Sequence, residues 1–195
     1  MKINKFLTVV DYGSKKIRLS IFDKNHKKIY STYENQISDQ NVETKSYKIN
    51  EIIRKAEKNI SDHIEEIVVL YDDPKVTAID LSIKKEFDQK IIVDENILLL
   101  VTEAKKLLQN YHDNLKIMHT IINKFLIDDK EYYQNLDKKL LGKKVIIDFK
   151  FVCIPNNKYS FIEDLFKKNS VQILNLFCTS ITKAITYQKY FKNKK

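Results

Sequence analysis

FLTVVDYGSKKIRLSIFD, residues 6–23, carries the reading of the fold. The apolar run over residues 5–12 closes at Gly13, which predicts a buried strand followed by a turn. Residues 16–23 alternate, with Ile17, Leu19 and Ile21 on one face and Arg18 and Ser20 on the other. That period of two predicts a half-buried strand. Asp23-Lys24-Asn25-His26 supplies the next turn, and 27–34 is a third extended segment. Three strands joined by tight turns make an antiparallel meander.

Beyond the meander the period changes. Ile49, Ile52, Ile53, Ala56 and Ile60 recur at threes and fours, which predicts a helix with Asn50 as its N-cap. Residues 66–71 are nearly all apolar and suit a central strand, closed by the turn Asp72-Asp73-Pro74. Residues 76–93 alternate as one or two strands, and 94–110 form a helix capped by Asp94. Strands follow at 115–127 and 145–154, with the polar segment 128–144 between them. The chain closes as helix (156–169), strand (171–178) and helix (179–192). Helix–strand alternation thus breaks off and later resumes. The expected fold class is α/β: a mixed sheet with flanking helices over 1–81 and 156–195, interrupted by a small α+β subdomain over 82–155.

Composition sets the bounds on function. The 195 residues include only 2 Gly and 2 Pro, which excludes collagen, low-complexity linkers and nucleotide loops with several glycines. Cys153 and Cys178 lie far apart, with no CxxC and no nearby His, so neither a disulfide framework nor a structural zinc site is expected. The net charge of +9 is carried by lysines interleaved with acids, and Arg18 and Arg54 are the only arginines. Nucleic-acid sites favour Arg for bidentate contacts, so this pattern reads as a solvated surface and no specific nucleic acid is expected. The exception is the tail (Lys189, Lys192, Lys194, Lys195), whose charge suits weak contact with acidic lipid or RNA. No run of roughly 18 apolar residues occurs, and the apolar start stops at Asp11 without a cleavage site. A cytoplasmic protein is the expectation.

The strongest chemical signal is Asp11-Tyr12-Gly13-Ser14-Lys15-Lys16. Glycine lets backbone approach a phosphate closely, successive N–H groups with Ser14 and Lys16 face its oxygens, and Asp11 holds a metal's hydration shell. By itself D-x-G-S-x-K is equally an ordinary hairpin turn. None of His26, His63, His112 and His119 has metal-pair spacing, and no nucleophile motif is present.

In its setting, the motif resembles the phosphate-1 element of actin-like ATPases, whose lobes have a ribonuclease H-like fold. Further segments are similar to FtsA, the bacterial cell-division actin: Ile64–Leu70 as the strand before the insert, His119 in KIMHTIINKFLID with Phe125 and Asp128, Asn135 and Gly142 in the loop before VIIDFKFVCI, and Phe161–Phe177 as the returning helix and strand. Leu136 and Lys138 stand where that family has a Pro and another Gly. The resemblance implies the N-terminal lobe of an actin-like fold, with ATP and Mg2+ as cofactors at Asp11, Gly13, Ser14 and Lys16. It implies division-ring partners, including FtsZ and other FtsA subunits, and a place at the inner face of the membrane reached only through partners. The family continues with a second lobe after the point matched by Lys195, so weak or absent nucleotide binding is expected, with the chain acting as an assembly module and not an enzyme. A related scaffold of type IV pilus assembly has a similar insert. A sugar-kinase or chaperone-type ATPase lobe is a further alternative.

Overall fold

A computed structural model describes residues 6–36, 41–87, 91–92, 94–132 and 140–192. Asn135, Leu136, Lys138, Lys194 and Lys195 lie outside them, as do the side chains of Lys189 and Lys192. The chain divides into two compact units, one of residues 1–74 with 157–195 and one of 75–156.

The first unit is built on β1 (Leu7–Tyr12), β2 (Lys16–Phe22) and β3 (Lys28–Asn35), each antiparallel to the next. Helix α1 (Val42–Ile60) then crosses to β4 (Glu66–Tyr71), which lies parallel to β1. After the second unit come α3 (Asn156–Lys167), β11 (Gln172–Cys178) and α4 (Thr179–Lys192). The sheet order is β11-β4-β1-β2-β3. Alternation explains the layering: Val10, Tyr12, Ile17, Leu19, Ile67, Val69 and Leu176 are buried on one face, with Ile49, Ile52, Ile53 and Ala56 of α1 and Ile162, Leu165 and Phe166 of α3 in the core. Each of the buried Val, Leu, Ile and Phe side chains contributes about 1.5–3 kcal/mol of burial.

Helix α1 starts eight residues before the expected cap. Its N-cap is Asn41, whose side chain accepts from the Thr44 amide at 2.9 Å. Asn50 instead sits mid-helix and its Nδ2 donates to Asn169 at 2.8 Å. The apolar stripe begins only at Ile49, so periodicity marked the buried turns and missed the exposed first ones.

The second unit holds β5 (Thr77–Glu86), β6 (Ile91–Ile92), α2 (Asp94–Tyr111), β7 (Leu115–Ile127), β8 (Lys130–Tyr132), β9 (Leu140–Leu141) and β10 (Lys144–Pro155). A four-stranded sheet runs β5-β10-β7-β8, and β6 pairs with β9. Its core joins Leu100, Ala104 and Leu108 of α2 to Ile147, Phe149, Phe151 and Cys153 of β10. The rings of Phe149 and Phe151 stack at 5.6 Å. The boundary expected at 82 falls inside β5: that strand pairs with β10 continuously from Thr77 opposite Cys153 to Glu86 opposite Lys144, so residues 75–81 go with this unit. Weak alternation around Ala78 hid this.

Candidate functional site

Three parallel strands of the first unit end at one edge of its sheet. Asp11-Tyr12-Gly13 closes β1, Tyr71-Asp72-Asp73 closes β4, and Cys178-Thr179-Ser180 joins β11 to α4. Open α/β sheets place their ligand sites at carboxyl ends of strands, so this edge is the candidate site.

The hairpin residues fall where the sequence places them, but their groups are used within the chain. Gly13 N donates to Lys16 O at 3.0 Å, and Gly13 O accepts from Gln36 Nε2 at 2.9 Å. Gly13 has no positive φ; its value is space, because a Cβ there would stand 3.1 Å from Lys16 O. Asp11 faces Arg18 across the β1–β2 ladder, with carboxylate and guanidinium 3.7 Å apart. The Lys16 ammonium sits over the Tyr33 ring at 4.7 Å, a cation–π contact. Ser14 and Lys15 stand exposed at the tip.

The neighbouring carboxylates, which the sequence presents as a turn, do more. Asp72 accepts the Ser180 hydroxyl at 2.8 Å, the Ser180 amide at 3.2 Å and the Cys178 thiol at 3.1 Å. Burial pushes the Asp72 carboxyl up, but the bonds from Cys178 and Ser180, aided by Lys183, outweigh it and hold it below the usual carboxylate value. Asp73 accepts the Tyr71 hydroxyl at 2.9 Å and lies 3.5 Å from the Lys158 ammonium. Burial, then this bond to Asp73, raises the Tyr71 hydroxyl above its ordinary value.

Beneath the hairpin, Tyr12 and Tyr71 pack at 5.8 Å between ring centroids. The buried Tyr12 hydroxyl has no hydrogen bond of good geometry. Burial pushes its pKa up to about 12, and the Gln36 amide alongside offsets only part of this.

Each carboxylate at this edge therefore has a partner within the chain: Asp11 has Arg18, Asp72 has three donors, and Asp73 has Tyr71 and Lys158. Asp72 and Asp73 are taken up by these donors, whereas the Asp11–Arg18 pair is long and solvent-exposed and leaves Asp11 oxygens open to the water shell of a magnesium ion. Among the described residues no cluster of three His, Cys, Asp or Glu side chains is arranged to hold a metal. A groove of about 320 Å³ lies at the opposite ends of the strands, lined by Phe6, Leu7, Thr8, His26, Glu66 and Leu174, away from the hairpin.

His119 lies on β7 opposite Val152, within the second unit. Both cysteines are buried, and among the described residues no helix is long and apolar enough to cross a membrane.

The antiparallel meander, the parallel β1, β4 and β11, and the second unit inserted in the chain between β4 and α3 define a mixed α/β lobe, a mixed sheet with flanking helices. A chain of the PilM-PilN type IV pilus biogenesis complex has a similar fold, with a TM-score of 0.57 at 8% identity, covering 88% of this chain and 47% of that one. A Bacteroides thetaiotaomicron protein of actin-like ATPase fold and unknown function matches more loosely, with a TM-score of 0.37 at 13% identity, over 96% of this chain and 58% of that one. This chain spans about half the length of each. No protein-family model and no curated protein sequence matches it.

Proposed function

We propose that this chain is the hairpin-bearing lobe of a bacterial actin-like scaffold, which recruits protein partners and does not turn over ATP. The observation that carries the reading is the place of the interruption. The parallel sheet breaks after β4, at the point where the resemblance to FtsA expects an inserted subdomain, and resumes at α3 and β11. The engagement of Asp72 and Asp73 within the chain supports a scaffold over an ATPase, because a hydrolytic site needs free oxygens to position magnesium. An exposed hairpin tip and a separate α+β unit, whose sheet edge at β5 meets no further strand among the described residues, give such a lobe surfaces for partners.

The finer reading is an assembly module of the division ring, FtsA-like, working in the cytoplasm and reaching the membrane and FtsZ through partners. A second reading, a scaffold of type IV pilus assembly, is favoured by the likeness to the PilM-PilN chain. Imaging a fluorescent fusion in the source organism separates them. A ring at the division plane supports the first, and foci that vanish when pilus-assembly genes are deleted support the second. A uniform signal together with ATP turnover by the purified chain contradicts both.

A further inference from the structure

The second unit's sheet ends at β5, which pairs with β10 on one side along all 10 of its residues and has no strand on its other side among the described residues. We propose that this edge is the seat of a second copy of the chain, with the two β5 strands antiparallel about a two-fold axis at Ser82.

The ladder fixes which groups are open. Phe87 N donates to Lys143 O at 2.8 Å, so odd-numbered residues of β5 form the hydrogen-bonded pairs with β10. The N–H and C=O groups of Ala78, Asp80, Ser82, Lys84 and Glu86 therefore point to the free edge. A second β5 can satisfy them only by pairing even residues with even residues, and the side-chain charges choose among those registers. With Ser82 opposite Ser82, Asp80 of each strand, paired within its own chain with Lys150, also meets Lys84 of the other, paired within its own chain with Glu86, twice over. On the opposite face, Leu81 meets Ile83, continuing the apolar layer beneath α2. Other centres are poorer: at Asp80 or Lys84 a charge faces its own copy, at Ile83 Asp80 faces Glu86, and at Leu81 Asp80 and Lys84 meet only Ser82 and Ala78.

Helix α2 gives an independent reason. It lies against β5, where Lys85 pairs with Glu103. Glu103 falls between Leu99 and Leu107 on a four-residue ridge, and these leucines are 43% and 41% exposed. The ridge thus flanks the open edge. A two-fold that joins the β5 strands brings the two ridges together over the continued sheet.

Sedimentation of the full chain tests this. The wild type is expected to dimerise at roughly 100 µM or below. Asp80→Lys and Lys84→Asp each place like charges opposite one another and are expected to weaken self-association at least roughly tenfold. An equimolar mixture of the two variants restores both ion pairs and is expected to dimerise again, which a folding defect would not allow. Ser82→Cys is expected to form an intermolecular disulfide, because residues in such a pair stand about 5.5 Å apart at Cα. Asp80→Cys, roughly 13 Å from its own copy, is not. A wild type that stays monomeric overturns the proposal, whether the edge is guarded or serves another protein. So does a mixture that fails to reassociate.

Discussion

The Asp72 carboxylate, at the end of β4, accepts both the hydroxyl and the backbone amide of Ser180, 2.8 and 3.2 Å away and 108 residues later in the chain. One side chain thus ties the strand that precedes the second unit to the first turn of the final helix, and caps that helix from a distance.

Asp72→Asn is expected to destabilise the chain by about 1–2 kcal/mol, the usual worth of a cap with charge-assisted bonds. The sign of the pH dependence follows from the lowered carboxyl: its contribution is full above the unfolded-state value and is lost as pH falls through the folded one. Wild-type stability should therefore drop more steeply below about pH 4 than that of the variant. Urea titrations at pH 7 and pH 3 check this; equal losses for both proteins would rule it out.

The two packed tyrosines, Tyr12 and Tyr71, should respond oppositely to loss of the hydroxyl. Tyr12→Phe removes a buried group with no good partner, so stability should stay level or rise by about 1 kcal/mol. Tyr71→Phe breaks the bond to Asp73 and should cost about 1 kcal/mol. Denaturation midpoints of the two variants give the comparison.

Both thiols should be silent in the native protein. Burial pushes the Cys153 thiol up to about 11, and burial followed by the nearby Asp72 raises Cys178. At pH 8 an aromatic disulfide reagent should label neither within minutes, and both on adding denaturant. Rapid labelling of the folded chain would contradict the packing of β10 or β11.

Gly142 has a steric reason. A Cβ there would come within 2.3 Å of the Ile127 side chain and 3.2 Å of Asp128, whose carboxylate accepts from the Lys144 amide at 2.9 Å. Gly142→Ala should destabilise the chain by about 1–3 kcal/mol. Hydrogen exchange should localise the loosening to the ends of β7 and β10.

Much of this architecture was legible in the residues. The alternation of Ile17, Leu19 and Ile21 gave the hairpin, and the apolar run at 66–71 gave the middle strand of the parallel set, because periodicity records burial directly. The start of α1 was not legible, since its first turns are exposed. The site was legible only in part. D-x-G-S-x-K marked the hairpin, but the partners of Asp72 and Asp73 depend on which strand ends share an edge, and local spacing holds no record of that. Thr179-Ser180 at the start of a helix was the one available hint of a cap.

Titration of the purified chain with ATP and magnesium bears most directly on the claim that this edge serves structure and recruitment. With Asp72 and Asp73 held by Ser180, Cys178, Tyr71 and Lys158, the chain is expected to show no association tighter than roughly 1 µM, about 8 kcal/mol. Magnesium-dependent binding below that concentration, lost in Ser14→Ala and Lys16→Ala, would show a working nucleotide site and contradict it.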